Sequence, residues 1–383
     1  MKNLNFKDIL SSGKLEIFGV IAGIIAFISL ILFIGFILIP GFAKILIYDS
    51  FIYYEMAMNP FKATIAPYTY RILTPLIVSL IPLERLEGFF LVNVSSIIIA
   101  ATIFYYYLKK LNFNSYLSYL GVMLFISAPT VIYSLYDIAL VDNLSFLFIT
   151  LAFYFILIRK DWLFFIVLLI GVVNKETILF TIPVYFLYNI EINNLKIALK
   201  KSVLILLPIL FIFMIIRFQY GVTDYFTINT IKNNLLEHLY RYNIIKNYLY
   251  IAIGTFKNPY LAFGTIWLIF LYGIKYIDNK FLKKSLYVLP LIFLQILIST
   301  DIYRVIFIAF PIIIPIALYV YKKNIIGVNL FFILISLILI ICYTLLVNLN
   351  GFLFGLVILP LEIVILTSLL VNCAYKKVIQ NKV

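Results

Sequence analysis

Long apolar runs separated by short polar breaks recur along the chain from Ile17 to Leu370. No polar block between them is large enough for a separate soluble domain, so a single membrane domain over 1–383 is expected. Taking the basic clusters as cytoplasmic stops, the pattern predicts an all-α, polytopic bundle of about 12 spans. They fall at 17–39, 88–108, 116–135, 138–158, 162–173, 177–190, 202–220, 259–277, 285–299, 305–321, 325–347 and 352–374. Both termini then lie inside. The first run is longer than a signal-peptide core and lacks a small-residue cleavage pattern, so it is expected to stay as a span.

Three places break the regularity. The run Ile72–Pro82 has about 11 residues and Trp162–Val173 about 12, which at 1.5 Å per residue reach roughly 16 to 18 Å, short of an apolar core of about 30 Å. Each borders a charged motif, "PYTYR" or "NKE", and short partial-depth helices lining a polar cavity are the expectation, because irregular backbone at depth is tolerated only there. The third is the polar and aromatic stretch 217–258, too long for a simple turn and expected to pack over that cavity from outside. The first outer loop is 40–87. The stretch "EINNLKIALKK" reads as a surface-lying amphipathic connector, and no internal repeat or heptad run is present.

Composition agrees with this picture, with 65% of the 383 residues hydrophobic and 12% charged. The net charge of +14 does not call for nucleic acid, because 19 of the 30 basic residues fall on the proposed inner segments, as topology signals do. Ten of the 16 acids fall at or near the outer side: Asp49, Glu55, Glu84, Glu87, Asp137, Asp142, Glu176, Asp224, Glu237 and Asp301. Cys342 and Cys373 lie inside apolar runs far from the single histidine, His238, which suggests buried thiols and a bystander imidazole. With no GxxxxGK[ST], GxGxxG or Asp-x-Asp, a nucleotide-bound donor is disfavoured.

Candidate chemistry sits on the outer side. Residues 49–58 can form a short interfacial helix with Asp49 at its N-terminus, where free N–H groups favour a carboxylate. The functional alternative for Asp49 is a general base, with burial at a cavity mouth raising its pKa. Glu55 is either an exposed interfacial charge or part of the same site. Tyr70 and Arg71 precede the first short run, and Arg71 either snorkels outward or offers its donor fork to a phosphate. Lys175 and Glu176 are neighbours that do not face each other on a helix, so a private ion pair is not automatic. Asp137 and Asp142 mark a tight outer turn or contribute to the site. Asp301 and Arg304, at i and i+3, permit a local salt bridge. Glu362 falls inside the last run and should face protein or a cavity. No ligand spacing argues for a metal, though Asp137, Asp142 and Asp301 could help hold a divalent cation.

Taken together, the pattern "D...YY..A" from Asp49, "PYTYRILTP" from Pro67, "NKET" from Asn174 and "DIYRVIFIAFP" from Asp301 resembles the GT-C class of polytopic membrane glycosyltransferases over roughly residues 40–320. The resemblance implies a GT-C-like fold and an inverting transfer, on the extracytoplasmic face of the plasma membrane, of a monosaccharide from a polyprenyl-phosphate-linked donor. Asp49 maps onto the catalytic acid of the first outer loop. Arg71, Lys175 and Arg304 are the positions that would hold the lipid phosphate, with Glu55, Tyr70, Asp142, Glu176 and Asp301 completing the substrate site. The implied partners are the lipid-linked donor, a lipid-linked or surface glycan acceptor and membrane lipids, with no cofactor. A secondary transporter or flippase of lipid-linked glycans, built around broken helices, is the rival reading.

Overall fold

The structure is a computed structural model that describes residues 6–38, 41–44, 46, 48–61, 66–219, 259, 261–264, 266–294 and 302–323. Among these the regular structure is entirely helical. Ten helices lead to residue 219: α1 (Phe6–Leu38), α2 (Tyr48–Met58), α3 (Leu73–Leu80), α4 (Arg85–Lys110), α5 (Ser115–Ile126), α6 (Pro129–Tyr136), α7 (Asp142–Leu157), α8 (Asp161–Asn174), α9 (Thr181–Ile192) and α10 (Leu195–Gln219). Five more lie beyond it: α11 (Ile266–Gly273), α12 (Lys280–Leu286), α13 (Leu289–Phe293), α14 (Ile302–Ile306) and α15 (Phe310–Lys322).

Among the described residues, four stretches are long and apolar enough to cross a membrane: Leu15–Ile37, Arg85–Lys110, Leu195–Arg217 and Ile302–Lys322. A fifth forms if α5 and α6, bent by 49°, count as one. This is fewer than the twelve spans the pattern predicts. The expected spans 325–347 and 352–374 lie outside the described residues, as does nearly all of the 217–258 segment. Elsewhere the apolar runs resolve into shorter helices, because Pro129, Pro290 and the Asn174–Lys175 break interrupt them. The two runs read as too short to span are short here as well. α3 has 8 residues and α8 has 14. The stretch "EINNLKIALKK" is not a separate surface helix: Asn194 accepts from the Ile197 N–H, 2.9 Å, and α10 runs on from Leu195 to Gln219.

Helix directions give the bundle two chemically different ends. α4, at about 1.5 Å per residue, extends about 39 Å from Arg85 to Lys110. At its far end Lys109 stands 3.7 Å from Glu16 at the start of the first span. The turn after α7 brings Asp161 to Lys201, 2.7 Å, near the start of α10. Glu191, at the end of α9, meets Lys280 and Lys284, each at 3.2 Å. These exposed pairs each contribute little to stability, roughly 0–1 kcal/mol, but they gather the lysines read as inner ones at one end. The starts of α2, α7 and α14 and the C-terminus of α8 meet at the other.

α15 is the centre. Every residue from Phe310 to Tyr321 is buried, whereas α1 and α10 show apolar faces with Phe18, Phe33, Leu204 and Phe211 exposed, as suits helices on the lipid side. Phe307 and Phe310 pack into rings from three other helices: Phe104 of α4, Phe125 of α5 and Phe146 of α7, with centroids 4.7 to 6.2 Å apart. This fixes the segment just after Arg304. α11 approaches α15 so closely that a Cβ on Gly273 would lie 2.5 Å from the Ile316 carbonyl oxygen. Backbone cannot rotate away, so Gly273→Val is expected to push the two helices apart and cost about 1–3 kcal/mol, read as a lower midpoint in reversible unfolding in mixed micelles.

Candidate functional site

Six ionised side chains from separated segments meet at one end of the bundle, and they form two linked groups. In the first, Asp49 in the opening turn of α2 accepts from the Tyr68 hydroxyl at 2.8 Å through Oδ1 and from Arg304 Nη1 at 2.8 Å through Oδ2. Arg304 turns its other fork nitrogen, Nη2, to Asp142 Oδ2. Lys175 Nζ donates to Asp142 Oδ1 at 2.6 Å. The order is therefore Asp49, Arg304, Asp142, Lys175. In the second, Arg71 Nε donates to Glu176 Oε2 at 3.1 Å, Nη2 donates to Glu176 Oε1, and Nη1 donates to the Tyr53 hydroxyl at 3.0 Å.

Local sequence explains the placement. Asp49 and Tyr53 are one helical turn apart on α2, so both turn to the face that buries Ser50, Tyr53, Met56 and Ala57. Tyr68 opens a 3-10 turn, Tyr68–Tyr70, and packs edge-on against the Tyr53 ring with centroids 5.6 Å apart. Lys175 ends α8 in extended backbone, φ −162° and ψ 131°. That break aims Lys175 at α7 and sends Glu176 the other way, toward Arg71.

The turn between α6 and α7, which delivers Asp142, is buried from Asp137 to Val141, and its carbonyls have little access to water. Side-chain amides serve them. Asn93 Nδ2 donates to Ile138 O and to Leu140 O, the latter at 3.1 Å. Asn174 Nδ2 donates to Val141 O at 3.0 Å and to Ser145 Oγ at 2.8 Å, while its Oδ1 accepts from the Thr74 hydroxyl at 2.6 Å. Asn174 thus ties α3, α7 and α8 together beside the charges.

Three cations and three carboxylates make the cluster formally neutral, which offsets the large cost of holding charge away from water. Its exposure is graded. The Asp142, Arg304 and Lys175 side chains are 2%, 5% and 6% exposed, whereas Asp49 is 19% and Glu176 29% exposed. The open side of the cluster is carboxylate.

Several expectations change. Arg71 does not snorkel to the surface but is bound inside. Arg304 pairs across the fold with Asp49 and Asp142, and Asp301 lies outside the described residues. Glu55 is exposed on another face of α2 and does not join the cluster. Tyr70 points its ring to a different cation, lying under the Arg217 guanidinium 4.8 Å from the centroid, with Phe213 on the same cation at 4.2 Å. Tyr53 and Tyr68 bond to the charged groups; both lie within the motifs noted in the sequence, but neither is singled out there as a site residue. The Asp49 carboxyl is also not raised. Burial pushes it up, but the Arg304 charge and the hydrogen bonds from Arg304 and Tyr68 prevail, leaving it below the usual carboxylate value and ionised at neutral pH. Among the described residues no three His, Cys, Asp or Glu side chains group as metal ligands.

Arg71 shows how far the geometry depends on a planar fork. Arg71→Lys keeps the charge but loses the paired bonds to Glu176 together with the bond to Tyr53, and is expected to destabilise the protein by about 1.5–3 kcal/mol in the same unfolding measurement. A lysine variant as stable as wild type would mean that a point charge is all this position needs.

Compared with family models, with curated proteins and with solved structures, the chain matches none.

Proposed function

We propose that the protein is a membrane glycosyltransferase that moves a monosaccharide from a polyprenyl-phosphate-linked donor to an acceptor hydroxyl on the extracytoplasmic face of the plasma membrane, in assembly of a cell-surface glycan or glycolipid. The observation that carries this reading is Asp49: a partly exposed carboxylate on a short helix outside the long spans, fixed by Tyr68 and Arg304 at the open side of a buried charge cluster. Buried charge clusters are costly, and in membrane proteins they are candidate functional sites.

In the proposed reaction the acceptor oxygen attacks the anomeric carbon as its proton passes to Asp49. The bond from that carbon to the phosphate oxygen breaks, and its electron pair leaves with the polyprenyl phosphate. A single displacement inverts the anomeric centre. Arg304 and Arg71 supply fixed positive charge for the departing phosphate, which is worth most where water is excluded. Lys175, expected from sequence to share that task, is bound to Asp142 and buried, so its part is to hold Asp142 against Arg304.

The test is transfer by the purified protein from a panel of radiolabelled polyprenyl-phosphate sugars to membrane-lipid acceptors. Product with at least one donor is the expected result. No product with any donor, together with counterflow of a lipid-linked glycan in proteoliposomes, would replace the transferase with a transporter.

A further inference from the structure

The proposed base is tied down by the cation that should serve the donor. Arg304 divides its two terminal nitrogens between a carboxylate that is 2% exposed, Asp142, and one that is 19% exposed, Asp49. Asp142 is further anchored by Lys175. The second anchor of Asp49 is only a neutral hydroxyl, that of Tyr68. Of the two described carboxylates on Arg304, Asp49 is therefore the one that an anion reaching Arg304 from the open side can replace, and that carboxylate is the base. The same asymmetry recurs at Arg71, whose partner Glu176 is the more exposed member of its pair.

We propose that the Asp49–Arg304 pair is an autoinhibitory latch, opened when the phosphate of the bound donor displaces Asp49 from Arg304 and frees the carboxylate to take the acceptor proton. The proton transfer after opening rests on the transferase reading, but the exchange itself is a property of the ligand-free cluster. Donor occupancy and base release then become one event, so an empty site does not present a free base to water. The shared chemistry is a phosphate oxyanion, from a lipid headgroup or from free phosphate.

The latch makes a prediction opposite in sign to that for a ligand-binding carboxylate. Binding is measured by titration calorimetry on the full-length protein in nanodiscs, in one arm with dodecyl phosphate and in the other with inorganic phosphate. Asp49→Asn removes the competitor and is expected to tighten dodecyl phosphate binding by about tenfold or more, equivalent to about 1.4 kcal/mol per factor of ten. Tyr68→Phe, which loosens Asp49 without changing charge, is expected to tighten it by a smaller factor. Glu55→Gln removes the same charge from the exposed face of α2 and separates exchange from a general Coulombic gain; its affinity should equal that of wild type. Tightening in both arms supports exchange by the phosphate group itself, and tightening with dodecyl phosphate alone supports it with the lipid as the source. Absence of binding, unchanged or weaker binding in Asp49→Asn, or equal tightening in Glu55→Gln overturns the latch. None of these outcomes depends on sugar transfer, so failure of the panel assay and failure of the latch remain distinguishable.

Discussion

In the proposed transferase, Asp49→Asn should lower the turnover of glycosyl transfer by about 10²–10⁴-fold, the usual contribution of a positioned general base, while leaving the fold intact. Asparagine is close in size, can still accept from Tyr68 through its carbonyl oxygen, loses the carboxylate oxygen and the charge that hold Arg304, and cannot take up the acceptor proton. Because the same change frees Arg304 for the donor, the apparent donor KM should fall as kcat falls. Both constants are read from initial rates over a donor series. Loss of kcat with a raised KM would assign Asp49 to donor binding, and unchanged transfer would remove it from the chemistry.

Lys175→Met is expected to be the most destabilising single change at the site, by about 3–5 kcal/mol, because it strands half of a buried ion pair. Asp142 would keep Arg304 but lose the donor on its other oxygen, in surroundings where water cannot replace it. Reversible unfolding in mixed micelles measures the cost. Adding Asp142→Asn to Lys175→Met removes the stranded charge and should recover part of the loss, which separates an electrostatic penalty from lost packing of the lysine stem. A single variant as stable as wild type would show that Asp142 and Arg304 suffice without Lys175.

The sequence made the helical, membrane-embedded class legible because apolar runs and basic stops act through local composition. It exposed the short elements for the same reason: a run too short to span is countable. It also brought Asp49, Arg71, Asp142, Lys175, Glu176 and Arg304 forward, because charged residues among apolar runs are rare. Pairing was another matter. Arg304 reaches Asp49 and Asp142 at separations of 255 and 162 residues. Long-range partners arise from tertiary packing, which spacing along one chain does not encode. The direction of the Asp49 shift failed for the same reason, since burial alone raises a carboxyl and the distant Arg304 is the largest influence against it. Within "PYTYR" the sequence does not tell Tyr68 from Tyr70, because which ring reaches Asp49 is set by the 3-10 turn and its packing. Apolar length alone does not show the breaks that divide a run, such as Pro129 and the Asn174–Lys175 junction, into shorter helices.

That separation of 255 residues has a consequence for biogenesis. When synthesis has passed Glu176, the lysine and glutamate at the break after α8 already have Asp142 and Arg71 as partners, so four of the six charges can be matched early. Asp49 cannot. Its cation lies on the segment leading into the most buried helix of the bundle, and until that segment is made and inserted Asp49 has, of its two described partners, only the Tyr68 hydroxyl to meet it. Docking of the late helix completes charge neutrality in the cluster, and links assembly of the cluster to completion of the bundle's core.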